Sequence, residues 1–178
     1  MNARQHRGYL SQVRWRLARH GQKAPVVELR SLAQLRRAFN DDTGAPRLVF
    51  LFSPTCPVCH SGARWARSEI LDRHPSARLK VLAVWFNVVP GDSRRLLDTR
   101  VLNDPRVTYF WDQEKTAGRW FSEHVTNRQR ITWDAYFLYG PEARWDQEPG
   151  PLVSRSSASS VIAAASQLQE AVQPFLEG

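Results

Sequence analysis

The chain has 178 residues, of which 42% are apolar and seven are tryptophan, and this composition excludes an intrinsically disordered chain. No apolar run approaches the roughly 20 residues that a membrane-spanning helix needs. The N-terminus has no apolar signal segment, so we expect a cytoplasmic protein. The net charge of +8 resides in residues 1–37, which hold nine Lys or Arg and one acid, Glu28. The charge therefore says little about the partners of the remaining chain.

Residues 1–24 are predicted to form a basic arm or helix that precedes one domain over residues 25–178. Leu10, Val13 and Leu17 recur at helical spacing, which favours an accessory helix that packs on the domain through a thin apolar stripe. The alternatives are an acidic partner, an anionic membrane face or a nucleic-acid backbone. Few aromatic residues are interleaved with the charges, so nucleic acid is the weakest of these alternatives.

After the arm, apolar runs of strand length alternate with stretches of helical periodicity. This alternation predicts an α/β fold in three layers, with a mixed central sheet covered by helices on both faces. The predicted elements are, in chain order, a strand at Val26–Leu29, a helix at Leu32–Phe39 capped by Ser31, a strand at Arg47–Phe52, a helix at Gly62–Asp72, a strand at Leu79–Val89, a short helix at Ser93–Thr99, a strand at Arg106–Trp111 and a helix at Ala117–Val125.

A hairpin and a helix are predicted to complete the domain. A strand at Ala135–Tyr139 meets the turn residues Gly140-Pro141-Glu142, after which Ala143–Trp145 can return antiparallel. A loop over Gln147–Pro151 and an amphipathic helix over Ser157–Phe175 follow.

The most informative motif is Cys56-Pro57-Val58-Cys59, which contains both cysteines of the chain. It lies between a buried strand and a helix. A cysteine at a helix N-terminus faces unpaired backbone N–H groups and the positive end of the helix dipole, which favour the thiolate. Pro57 suits the first helical turn, where no N–H is missed. We therefore predict that Cys56 is the exposed attacking thiol and that Cys59, one turn deeper, resolves the mixed disulfide.

A buried strand, this motif, a second strand, a helix and a hairpin together resemble the thioredoxin fold. The residues that carry the resemblance are Leu48–Phe52, Cys56–Cys59, Leu79–Phe86 and Ala135–Trp145, while the extra strand and helix over Asp104–Val125 resemble an insertion in peroxiredoxin-like and cytochrome-maturation-type thioredoxins. The resemblance implies exchange with protein or small-molecule thiols and disulfides. It also implies a reductase or glutathione as electron source, and no cofactor beyond the redox-active disulfide.

Two positions depart from the thioredoxin pattern. Asp134 stands where the family carries a cis-proline that faces the Cys pair, and Phe50 stands where thioredoxins place a buried acid. An aspartate at that position could accept a proton near the thiols, complete a metal site or be an ordinary strand-entry residue. We expect Thr55, Trp85 and Trp133 to line a substrate groove beside the Cys pair.

Other functions compete for the same residues. Cys56, Cys59, His60 and Asp134 could supply ligands to zinc, copper(I) or a heavy metal, although only one Cys pair is present. His60 also completes the Cys-x-x-Cys-His pattern of c-type haem attachment, but a strand precedes the motif, and a solvent-facing histidine in the first helical turn is the preferred interpretation. The Pro-x-x-x-Thr-x-x-Cys pattern of peroxiredoxins is absent. A non-catalytic thioredoxin-like interaction domain remains the last alternative.

Overall fold

The computed structural model describes residues 23–177, so nearly all of the predicted basic arm, residues 1–24, lies outside the described residues. The strands are β1 (Val26–Glu28), β2 (Arg47–Phe52), β3 (Lys80–Trp85), β4 (Val107–Trp111), β5 (Ala135–Trp145) and β6 (Pro149–Arg155). The helices are α1 (Leu32–Asp41), α2 (Pro57–Trp65, continued as a π-helix over Ala66–Asp72), α3 (Thr116–Phe121, continued as a π-helix over Ser122–Thr126) and α4 (Ala165–Val172). Short 3₁₀ turns lie at Arg94–Leu96, Thr99–Leu102 and Gln173–Phe175.

The six strands form one mixed sheet in the order β1-β4-β3-β2-β5-β6. β1, β4, β3 and β2 run parallel, β5 is antiparallel to β2, and β6 is antiparallel to β5. β2 and β3 pair in register from Arg47 with Lys80 to Phe52 with Trp85. The carboxyl ends of both strands therefore meet at one edge of the sheet, and the Cys motif follows β2 at that edge.

Helices cover both faces of the sheet, as predicted for a three-layer α/β fold. β2 is buried along its whole length because its side chains alternate between two apolar layers. Phe50 and Phe52 point into the layer that holds both cysteines and α4 residue Leu168. The opposite layer packs α1 and α3 against the sheet through Leu35, Phe39, Val49, Leu51, Phe121 and Phe137. Within residues 23–177, no helix has the length and apolar character needed to cross a membrane.

The predicted hairpin is wrong. Gly140-Pro141-Glu142 forms no turn, and β5 is one strand of 11 residues whose antiparallel partner is β6. Part of β6 lies in the stretch predicted as a loop, Gln147–Pro151. The Gly-Pro segment produces an irregularity in strand pairing instead of a reversal. Residues outside β5 hold this segment in place, because the Pro141 carbonyl accepts hydrogen bonds from Gly44 N (2.9 Å) and from the buried Arg47 guanidinium (3.0 Å).

Two helix boundaries also differ from the prediction. α2 begins at Pro57 and not at Gly62, so the Cys motif itself forms the first turn. The final helix begins at Ala165 and not at Ser157. The preceding residues make turns, in which Ser160 Oγ accepts a hydrogen bond from Ala163 N (3.2 Å). The N–H of Val161 points away from any helical carbonyl and donates to an aspartate, as described below.

Candidate active site

Cys56 caps the N-terminus of α2. Its Sγ accepts a hydrogen bond from the backbone N–H of Cys59 at 3.2 Å, and Pro57 occupies the first turn as predicted. Cys56 is 6% exposed, so the prediction of an exposed thiol is corrected: the residue is buried. The sulfur nonetheless faces the end of a helix whose N–H groups stabilise negative charge.

Cys59 lies one turn deeper and is fully buried. Burial, and after it the negative charge of Asp134, raise the pKa of the Cys59 thiol well above its ordinary value. A hydrogen bond from the Ser53 backbone opposes this shift. Both cysteines are free thiols in this structure. Cys59 therefore holds its proton until another group can take it.

Asp134 lies beside the thiols, immediately before β5. Its backbone adopts the left-handed conformation, with φ 48°, which L-residues other than glycine, asparagine and aspartate rarely adopt. The side chain is 5% exposed. Its Oδ1 accepts a hydrogen bond from Val161 N at 3.1 Å, and the carboxylate also accepts one from the Cys59 thiol. Burial raises the pKa of the Asp134 carboxyl above its ordinary value, although both hydrogen bonds oppose the shift.

Three of the four proposed metal ligands come together. One ligand atom each from Cys56, Cys59 and Asp134 lie within 4.8 Å of one another, and all three residues are buried. His60 does not join them, because its Nε2 donates to the carbonyl of Pro54 at 2.7 Å and its ring packs edge-on against Trp85. The chemistry of the three donors, two sulfurs and one carboxylate oxygen, fits zinc.

A groove of about 480 Å³ opens beside Cys56. Its remaining walls are apolar, basic and hydroxyl side chains. They are Val58, Ile131 and Trp133, then Arg128 and Arg130, then Ser159 and Ser160; the carboxylate of Asp134 also lines the groove, near Cys56.

Two predicted groove residues lie elsewhere. Trp85 is fully buried in the sheet core, where it packs on Phe52 at 5.0 Å between ring centroids. Thr55 is exposed and does not line the groove; its N and Oγ1 both donate to Asp92 Oδ1 (3.0 and 2.5 Å). Of the three predicted residues, only Trp133 lines the groove.

The sequence analysis missed Asp92, which fastens the loop after β3 to the loop before Cys56. Its Oδ2 accepts hydrogen bonds from Ser53 Oγ (2.6 Å), Val88 N (2.8 Å) and Val89 N (2.7 Å), and its Oδ1 accepts the two from Thr55. Burial raises the pKa of Asp92, but the hydrogen bonds outweigh it and hold the pKa below its ordinary value. The Pro90-Gly91-Asp92 turn was the available signal, since aspartate in a turn often accepts backbone hydrogen bonds.

No protein-family model matches the chain, and no curated protein matches its sequence. Two solved structures from Chlorobium tepidum match it, one described as a thiol:disulfide interchange protein DsbE and one as a thiol:disulfide interchange protein of the thioredoxin family. Each has 14% identity and a TM-score of 0.50, and covers 76% of this chain and 83% of its own. This chain has a thioredoxin-like fold. A thiol:disulfide interchange protein from Bacteroides sp. also matches, at 14% identity and a TM-score of 0.48 over 78% of both chains.

The structure shows where the two residues that differ from the thioredoxin pattern, Asp134 and Phe50, lie in the thioredoxin-like fold. Asp134 takes the position beside the Cys pair that the resemblance assigns to a cis-proline, and it is buried there. Phe50, at the position of the usual buried acid, stacks on Phe52 with 5.0 Å between ring centroids and contributes only apolar surface. Within the described residues, the carboxylate that is hydrogen-bonded to Cys59 therefore belongs to Asp134, at the entry to β5.

Proposed function

We propose that this protein is a thiol–disulfide oxidoreductase that uses Cys56 and Cys59. The observation that carries the proposal is the contact between Cys56 Sγ and the Cys59 N–H, 3.2 Å apart at the N-terminus of α2, beside an open groove. An N–H donor and a helix N-terminus stabilise the thiolate that attacks a disulfide. The substrates would be protein or small-molecule disulfides, with a dithiol reductase or glutathione as electron source.

In the first step, the Cys56 thiolate attacks one sulfur of the substrate disulfide. A new S–S bond joins Cys56 to that sulfur, the substrate S–S bond breaks, and the second substrate sulfur leaves as a thiolate. This thiolate takes up the proton that Cys56 had lost. Only Cys56 can perform this step, because it reaches the groove while Cys59 is fully buried.

In the second step, Cys59 must lose a proton before it can attack. Asp134 is placed to accept that proton, since the Cys59 thiol donates a hydrogen bond to its carboxylate. Burial raises the pKa of Asp134 above its ordinary value, which makes it a better base for this transfer than an exposed carboxylate. The Cys59 thiolate then attacks Cys56 Sγ and forms the intramolecular disulfide. The S–S bond between Cys56 and the substrate breaks, and the substrate sulfur that had been joined to Cys56 leaves as a thiolate that receives the proton from Asp134.

A redox titration of the Cys pair against glutathione, read by mass after alkylation of metal-free protein, tests the proposal. We expect one reversible two-electron transition, on the order of −120 to −270 mV. We further expect Cys56→Ser to abolish exchange and Cys59→Ser to accumulate a mixed disulfide with the substrate. Full reductase activity in the Cys56→Ser protein, or failure of the pair to form a disulfide, would overturn the proposal.

A metal-binding site is the second candidate, because the two sulfurs and the Asp134 carboxylate lie within 4.8 Å of one another. These three residues would leave a fourth zinc ligand to come from solvent or substrate. Zinc added to the reduced protein before alkylation distinguishes the two functions in the same titration. A one-to-one complex that protects both thiols, in a protein that shows no reversible transition, would favour the metal site. A non-catalytic interaction domain would instead still bind its partner after both thiols are alkylated.

A further inference from the structure

The groove beside Cys56 has an excess of positive charge. Arg128 and Arg130 both line it, both are exposed, and neither side chain has a hydrogen bond or ion pair with another residue of the described chain. Among the described lining residues the one carboxylate is Asp134, which is 5% exposed and already accepts hydrogen bonds from Val161 and Cys59. A molecule that enters the groove therefore meets two guanidinium groups with no competing exposed acid.

The backbone that carries the two arginines is anchored to α3. Arg128 N donates to the Ser122 carbonyl at 2.9 Å, and Ser122 Oγ lies 2.9 Å from the carbonyl of Arg130. Ser122 Oγ also accepts the N–H of Thr132 at 2.6 Å. Ser122 is buried, so these bonds are shielded from water. The segment thus holds both arginines at one wall of the groove, which reduces the ordering cost of binding a ligand there.

The apolar residues of the groove can contact the hydrocarbon part of a disulfide substrate. Val58, between the two cysteines, is 46% exposed, and Ile131 and Trp133 are half-buried. Apolar surface of this kind contacts the carbon chain on either side of a disulfide, while an arginine fork pairs with a carboxylate through two parallel hydrogen bonds. Other surface arginines, such as Arg78, also have no side-chain partner in the described part of the chain, but Arg128 and Arg130 share a groove with the nucleophile.

We propose that this groove selects disulfides that carry carboxylates next to the S–S bond, an inference that rests on the proposed exchange function. The substrate is either a small anionic disulfide of the glutathione type or an acidic peptide disulfide, which share the recognised chemistry. The carboxylates pair with Arg128 and Arg130 while Cys56 attacks the sulfur between them. One substrate disulfide becomes two thiols, the Cys56–Cys59 dithiol becomes a disulfide, and a second dithiol reductant restores it.

The test compares kcat/KM of the reduced protein for disulfides of different charge, and the ratio between the members of a pair is compared between protein variants. The small probes are oxidised glutathione, which is anionic, and bis(2-hydroxyethyl) disulfide, which is neutral. An acidic peptide disulfide and its glutamine counterpart form the peptide arm and distinguish the two sources. The variants are Arg128→Gln/Arg130→Gln and the matched control Arg37→Gln/Arg78→Gln, whose residues are exposed and have no side-chain hydrogen bond or ion pair within residues 23–177. Arg78 precedes β3 and so lies at the opposite end of the strands from Cys56.

We expect the wild-type protein to prefer the anionic member of at least one pair, and Arg128→Gln/Arg130→Gln to reduce that anionic-to-neutral ratio by about tenfold or more, which corresponds to about 1.4 kcal/mol or more. The control double variant should retain the ratio, and 0.5 M salt should weaken the preference. An unchanged ratio in the groove variant, with exchange intact on the neutral disulfide, overturns the groove inference alone. No exchange with any disulfide by the wild-type protein overturns the proposed function and the inference together.

Discussion

At the scale of single residues, Asp134 connects the chemistry of the site to its backbone conformation. The Asp134→Asn variant keeps the left-handed backbone, which asparagine tolerates, and keeps an acceptor for Val161 N, but it cannot accept the Cys59 proton. We expect the second step of exchange to slow by about 10²-fold or more, so that the mixed disulfide on Cys56 accumulates. Rapid-quench alkylation and mass analysis measure this intermediate. A variant with unaltered kinetics from pH 5 to 9 would exclude Asp134 as the proton acceptor.

The same variant changes how stability depends on pH. The pKa of Asp134 is raised in the folded protein, mainly by burial, so the folded state binds this proton more tightly than the unfolded state. The resulting stability is fully present below the unfolded pKa and is lost as pH rises towards the folded pKa. As pH rises above about 4, the ordinary pKa of an aspartate, Asp134→Asn should therefore gain in unfolding free energy relative to wild type, measured by urea denaturation. The exposed Asp146→Asn is the control, and parallel curves for Asp134→Asn and wild type would contradict the assignment.

At the scale of elements, the site depends on the close approach of α2 to the turn before α4. A Cβ on Gly62 would lie 2.9 Å from Val161 Cβ and 3.3 Å from Ile162 N, so neither neighbour can yield by a simple rotation of a side-chain end. Alanine is the better helix former by about 1 kcal/mol. We expect the steric clash to outweigh the gain in helix propensity, because overpacking costs about 1–3 kcal/mol.

Gly62→Ala should therefore lower the unfolding free energy of the reduced protein, and it should also disturb the bond from Val161 N to Asp134. Urea denaturation measures the first effect, and the resolution rate of the mixed disulfide measures the second. The adjacent Ser61→Ala, on the exposed face of α2, is the control and should change stability by about 0.5 kcal/mol or less. Equal stability of the two variants would show that α2 does not contact Val161 this closely.

At the scale of the whole molecule, the hydrogen bonds of the buried Arg47 and the Cys pair lie at opposite ends of strand β2. Arg47, at the start of β2, is fully buried, and its guanidinium donates to the carbonyls of Ala45, Pro141 and Ala143. These bonds tie β5 to the loop that precedes β2. Cys56 follows the other end of the same strand.

Arg47→Met should therefore weaken the fold and leave the chemistry intact. Removal of the guanidinium takes a hydrogen-bond donor from the carbonyls of Ala45, Pro141 and Ala143, and we expect a loss of about 3 kcal/mol in unfolding free energy. The reduction potential of the Cys pair should stay the same, as measured by glutathione titration under conditions where the variant is folded. Arg155→Met, an exposed position on β6, is the control for loss of a surface charge. A shifted reduction potential in Arg47→Met would mean that the two ends of β2 are energetically coupled.

The sequence by itself determined those features of the protein that depend on residues close together in the chain. The bounds of β2 were predicted from its apolar run, since a strand buried on both faces has no polar alternation. The Cys motif at a helix N-terminus was likewise predictable, because Pro57 and the strand before it restrict the backbone. These features follow from neighbours in sequence.

Only the tertiary structure decided the rest of the site. Gly140-Pro141 has the composition of a turn, but long-range bonds from Gly44 and Arg47 hold it within β5. The burial of Asp134, the five bonds to Asp92, and the groove with its two arginines join segments that lie tens of residues apart. Spacing along the chain carries no information about such contacts, because they depend on how loops at one sheet edge pack together. The sequence determined which sulfurs could react, and the packing decided which groups surround them.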